Sequence, residues 1–181
     1  MPIAVNTAHW YIITGIDVLG SNKSVVAFGD SVTDGRGLTT NAQNRWTNCL
    51  ASRLQANDTT SNVGVLSQGI GGTLVMGSGI SRFDNDVLEQ SGARYLIILY
   101  GINDIVYASA DATRLINTYK TFIRKAHPKN ILVYGGTLLP FGCNSAYTAA
   151  KETVRQAVNT WIRSTRAADG GFDAVLILMP H

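Results

Sequence analysis

The stretch Val25 to Gly37, VVAFGDSVTDGRG, runs four apolar residues of a strand straight into Gly29-Asp30-Ser31 and then into small and polar residues. Ser31 therefore sits where a strand stops. In an open α/β sheet, ligands bind outside the carboxyl ends of the strands, so a serine just past such an end stands where chemistry is usually done. The same residue types also suit a plain strand-to-loop turn. The rest of the chain has to decide between these readings.

Working outward, the strand pattern repeats. Asn62 to Ser67 reads as a short second strand ending at a turn that holds Gly69, Gly71 and Gly72, where glycine lets backbone N–H groups come close to a ligand. Tyr95 to Tyr100, YLIILY, is an unbroken apolar run of the kind found in central parallel strands buried on both faces. Ile131 to Tyr134 and Phe172 to Met179 supply strands four and five. Between them the spacing predicts helices over Asn41 to Ala56, with Thr40 or Asn41 as cap, and over Ser81 to Gln90, Ala110 to Ala126 and Ser145 to Thr165. Strands separated by helices imply a parallel sheet with right-handed crossovers and an α/β fold.

Three blocks carry a resemblance. FGDSVTDG from Phe28, SQGIGGT from Ser67 and YGINDI from Tyr100 together resemble, in order and with ordinary spacing, the first three blocks of the GDSL, or SGNH, hydrolases. The resemblance implies a flavodoxin-like three-layer fold with strand order 2-1-3-4-5. It also implies Ser31 as nucleophile, the Gly72 N–H and the Asn103 amide as oxyanion-hole donors, and hydrolysis of short-chain, acetyl-type acyl esters without metal or organic cofactor. Parallel strands put all their carboxyl ends on one side, so Ser31, Gly72 and Asn103, following strands one, two and three, can converge on one carbonyl. The glycines match neither a dinucleotide fingerprint nor a phosphate loop, which excludes nucleotide binding.

The fourth block of the family, Asp-x-x-His near the carboxyl end, does not occur here. Of the three histidines, His9 lies in the opening segment and His127 precedes strand four, at the wrong edge of the sheet. His181 follows strand five and is the expected base. Asp173 stands eight residues earlier along a strand, about 26 Å away, too far to orient it. Its partner is then its own terminal carboxylate, a loop acid such as Asp34 or Asp104, or a backbone carbonyl. The chain is expected to be truncated relative to the family, with apolar surface near strand five covered either by the opening segment or by a second copy in a homodimer. The alternative to an esterase is a crippled relative that binds acyl or carbohydrate ligands with little turnover. An unrelated flavodoxin-like binding domain is the third reading.

Composition bounds these readings. A length of 181 residues predicts one domain spanning 1–181, with 1–19 as an apolar lead-in that resembles the junction before the hydrolase domain of longer family members. With 45% apolar and 15% charged residues the chain is globular, outside the disordered class. The net charge of +3, spread without a run, argues against a nucleic-acid partner. Cys49 and Cys143 match no metal or redox spacing. The amino terminus lacks a basic n-region and is interrupted by Asn6, Thr7 and His9, so neither a signal peptide nor a membrane span is expected.

Overall fold

A computed structural model describes residues 22–178. Five strands, β1 (Lys23–Gly29), β2 (Val63–Gly69), β3 (Ala93–Leu99), β4 (Leu132–Gly136) and β5 (Ala174–Leu176), form one sheet in the order β2-β1-β3-β4-β5. All neighbours are parallel. The helices are α1 (Ser31–Asp34), α2 (Trp46–Gln55), α3 (Ile80–Phe83), α4 (Ile102–Tyr107), α5 (Ala112–Ala126) and α6 (Ala149–Ser164). This is the flavodoxin-like α/β/α arrangement that the family resemblance implies.

Strand alternation divides the apolar residues between two layers. Val26 and Phe28 of β1, with Leu96 and Ile98 of β3, face a large core completed by Leu115, Tyr119, Phe122 and Ile123 of α5 and by Val158 and Ile162 of α6. Val25, Val63 and Ile97 face the other way, against Trp46, Leu50 and Leu54 of α2. The unbroken run on β3 follows from this: a strand buried on both faces has no side to give to polar residues. On the α5 side Phe28 meets Phe83, Tyr100 and Phe122 edge-on at centroid separations of 5.3–5.9 Å.

Element boundaries depart from the sequence expectation where long-range contacts intervene. The helix expected from Asn41 starts at Trp46, because Asn41 and Gln43 adopt left-handed backbone (φ 64° and 50°) and the Arg45 N–H is capped by Asn48 Oδ1 at 3.2 Å. Conversely, the turns that lead into the segment expected from Ser81 begin at Val75, with a kink at Gly77 (φ −109°, ψ −108°) before α3, and Asp84–Leu88 continues α3 as a wider turn. The cause is Asp104, whose carboxylate accepts from the Val75 and Met76 N–H groups at 2.8 and 2.9 Å. α6 begins at Ala149, four residues late, because the Thr148 hydroxyl caps it. β4 runs on through Gly135 and Gly136, and β5 is only three residues long. Phe172, expected to open β5, instead packs its ring over Gly135 and against Tyr119 and Trp161.

Among the described residues no helix is long and apolar enough to cross a membrane, and no group of three or more His, Cys, Asp or Glu side chains could hold a metal ion. Both cysteines are exposed and free.

Candidate active site

The sheet register sets the site. Gly29 of β1 is level with Gly69 of β2 and with Leu99 of β3, so Ser31, Gly71 and Gly101 each stand two residues beyond one common line. Ser31 is the first residue of α1, half-buried, with Asp30 as N-cap. The expected loop at Ser31 is thus a helical turn. It lies across the end of β2 so closely that a Cβ on Gly69 would come within 2.3 Å of the Asp34 backbone nitrogen. Only glycine leaves room there, which is a physical reason for the residue at this turn.

The turn after β2 is bonded to α1 and to Asn103. A Cβ at Gly71 would lie 3.8 Å from Ser31 Cβ and 3.2 Å from Asp34 Oδ2, and the Gly71 N–H donates to that oxygen at 3.1 Å. Asn103, in the first turn of α4 and 8% exposed, donates from Nδ2 to the Thr73 carbonyl at 3.0 Å. Gly72 lies between these two contacts, exposed, with φ +76° and open space where a Cβ would be. Its N–H, like that of Ser31, has no hydrogen-bond partner among the described residues. Tyr100 locks the same turn through its hydroxyl, 2.5 Å from Thr73 Oγ1 and 3.1 Å from the Leu74 carbonyl.

Three supporting residues were not singled out by sequence reading. Asp30 is almost wholly buried; Oδ1 accepts from the Val32 N–H at 3.1 Å, while Oδ2 has no partner. Burial pushes its carboxyl up from 3.8 to about 6, with the Val32 N–H and, more loosely, the Gly101 N–H pulling the other way. Arg82 donates to the carbonyls of Gly29 and Gln68, both at 2.9 Å, and to Asp86, tying together the ends of β1 and β2. Its guanidinium lies 4.2 Å from the Phe28 ring centroid. Thr73 is the common acceptor for Tyr100 and Asn103. Asp30 could have been suspected from its place beside Ser31; Arg82 and Thr73 carry no local signal.

The histidine question divides. His181, the expected base, and His9 lie outside the described residues. His127 stands at the amino edge, as expected, with Nε2 3.0 Å from Asp173 Oδ2. Of the proposed orienting acids, Asp104 is fully buried and engaged with the Val75 and Met76 N–H groups, and burial raises its carboxyl above the usual range. That engagement takes it out of consideration. Asp34 remains at the rim, exposed, with one oxygen on Gly71.

Two kinds of space adjoin the nucleophile turn. Toward β3 and β4, an apolar cavity of about 230 Å³ is lined by Val32, Tyr100, Ile102, Leu138, Leu139 and Phe141, with Asp30 at its base. The segment from Asp34 to Arg45, between α1 and α2, encloses a polar hollow of about 340 Å³.

Comparison with known proteins agrees with the fold. Residues 27–176 match the model of the GDSL-like lipase/acylhydrolase family. A G-D-S-L family protein of Desulfitobacterium hafniense DCB-2 is 26% identical, with a TM-score of 0.66 over 86% of this chain and 77% of that one. The lipase/acylhydrolase of Enterococcus faecalis is 18% identical, with a TM-score of 0.60 over 76% and 70%. An acetylxylan esterase from Geobacillus stearothermophilus is 20% identical, with a TM-score of 0.57 over 78% and 72%. The last two likenesses are of fold. No curated protein sequence matches.

Proposed function

The chain belongs to the GDSL-like lipase/acylhydrolase family, and from that premise we propose that it is a serine esterase of short-chain, acetyl-type acyl esters. Ser31 Oγ attacks the ester carbonyl while its proton passes to His181. The N–H groups of Ser31 and Gly72 and the free hydrogen on Asn103 Nδ2 hold the developing oxyanion. Collapse expels the alcohol, which takes the proton, and water then hydrolyses the acyl-serine by the same route. The apolar cavity bounded by Val32, Ile102 and Leu139 suits a small acyl group.

One observation supports this reading: the 71–73 turn is bonded to α1 at one end, through the Gly71 N–H and the Asp34 carboxylate, and to Asn103 at the other, through the Thr73 carbonyl, with Gly72 between them. Donors so held need no rearrangement as charge develops, and losing one typically costs about 10² to 10³ in turnover.

A second reading, ligand binding with little turnover, is favoured by a separate observation. Among the described residues the only histidine is His127, at the opposite edge and engaged by Asp173. Hydrolysis of 4-nitrophenyl acetate by the native chain, Ser31→Ala, Asn103→Ala and His181→Ala separates the two. Activity lost in all three variants supports the complete mechanism. Activity lost in Ser31→Ala but kept in His181→Ala assigns the base elsewhere. A native chain no faster than Ser31→Ala leaves the binding reading.

A further inference from the structure

We propose that Tyr100 is a positioning residue for the oxyanion hole: its hydroxyl clamps the 70–74 turn so that the Gly72 N–H stays free and fixed relative to the Asn103 amide. The inference rests on the serine-esterase reading and adds to it a residue that acts on the reaction without touching the ester.

The turn is bonded at every residue but one. The Ile70 N–H donates to the Gly29 carbonyl at 3.1 Å and the Gly71 N–H to Asp34 Oδ2 at 3.1 Å. Thr73 Oγ1 donates to the Ile70 carbonyl at 2.7 Å, closing the turn on itself, and the Thr73 carbonyl accepts from Asn103 Nδ2 at 3.0 Å. Of residues 70 to 74, Gly72 alone makes no hydrogen bond within the described residues. With no side chain and a φ of +76°, it has the widest backbone freedom in the turn. The direction of its N–H is therefore set by how firmly its neighbours are held.

Tyr100 holds the Thr73 end. A hydroxyl has one hydrogen, and Thr73 gives its own to Ile70, so Thr73 Oγ1 accepts from the Tyr100 hydroxyl 2.5 Å away. That hydroxyl also lies 3.1 Å from the Leu74 carbonyl. The Tyr100 ring is 1% exposed, edge-on to Phe28 at a centroid distance of 5.3 Å, with the Arg82 guanidinium 5.5 Å from its own centroid. A ring packed this way does not follow a moving turn; the turn is tied to the ring. Phenylalanine would fill the same space, so core packing accounts for the ring and only the turn accounts for the hydroxyl.

The same residue is fixed from behind and leads directly to the second donor. The Tyr100 carbonyl accepts from the buried Tyr119 hydroxyl of α5 at 2.5 Å, and Asn103 follows three residues later in the first turn of α4. Tyr100 thus joins the two sources of the oxyanion hole, Asn103 through the main chain and the Gly72 turn through the side chain. Without the hydroxyl, the Thr73 end of the turn is left to the Asn103 amide, the group that must also serve the oxyanion. Any looseness there is felt most when charge develops, because a fixed donor stabilises the oxyanion without rearranging.

The test measures kcat and KM for 4-nitrophenyl acetate in the native chain and in Tyr100→Phe, Thr73→Val, Thr73→Ser and the double variant of the first two. Tyr100→Phe lowers kcat about tenfold and leaves KM unchanged, the mark of an interaction felt in the transition state. Thr73→Val, which removes the acceptor and the bond to Ile70, is at least as slow; Thr73→Ser keeps the hydroxyl and the native kcat. The double variant is no slower than Thr73→Val, because the second change removes a contact already lost. A Tyr100→Phe kcat within about twofold of native, or losses that multiply in the double variant, overturns the proposal. Amide hydrogen exchange reads the clamp without turnover: the Gly71 N–H exchanges about tenfold faster in Tyr100→Phe and in Thr73→Val while the β3 amides keep their native rates. Unchanged exchange at Gly71 overturns the proposal. If the native chain is no faster than Ser31→Ala, the esterase reading fails and the exchange rates alone judge whether Tyr100 holds the turn.

Discussion

Replacing Asp30 by asparagine isolates the cost of burying a charge beneath the nucleophile turn. Burial is the main cause of the raised carboxyl, and the neighbouring Asp104 carboxylate adds to it. A native-state value of about 6 against an ordinary 3.8 amounts to about 3 kcal/mol in favour of the protonated form in the fold. The sign follows from proton counting. Between these two values the folded chain holds a proton that the unfolded chain has lost, so the Asp30 contribution is fully present below 3.8 and is lost as pH rises through about 6. Asparagine keeps an oxygen for the Val32 N–H but cannot ionise. Urea denaturation of both proteins across that interval gives their stability difference at each pH. The offset at low pH reports local contacts; its change with pH reports Asp30 alone, because the other titrating groups cancel to first order. The native chain is expected to lose about 3 kcal/mol relative to Asp30→Asn between acid and neutral pH. A difference flat with pH, or one that favours the native chain as pH rises, would refute the argument from burial.

Two further substitutions test the scaffold of the site. Gly69→Ala drives a Cβ into the α1 backbone at 2.3 Å from the Asp34 nitrogen; it is expected to cost about 1 to 3 kcal/mol in urea denaturation and to lower esterase turnover by shifting Ser31. Asn159, 4% exposed, accepts from the Leu138 N–H at 2.7 Å and donates to the Leu138 carbonyl at 2.9 Å. Asn159→Ala leaves that N–H buried and unpaired, for an expected loss of about 1 to 3 kcal/mol. The carbonyl suffers less, because Arg155 also donates to it at 2.7 Å. Since Leu138 lines the apolar cavity, the same variant is expected to raise KM for acyl esters in steady-state assays.

Much of this protein is legible along the chain. Apolar runs on β1 and β3, glycines at the strand ends and apolar stripes on α5 and α6 are local signals, set by backbone period and side-chain chemistry within a few residues. They determine the five strands, the parallel sheet and the placing of Ser31, Gly72 and Asn103 at one edge. What the tertiary structure alone decided rests on contacts between distant residues. Asp104 holds the Val75 N–H, 29 residues earlier in the chain, and Arg82 reaches back 53 residues to the Gly29 carbonyl. Phe172 leaves its strand to cover Gly135. The short-range pattern at Asn41 to Arg45 reads as helix, yet the chain there turns left-handed and opens a hollow, because α1 and α2 hold it from both ends. Local periodicity reports which face of an element is apolar; which groups meet across the sheet depends on the distances that folding sets.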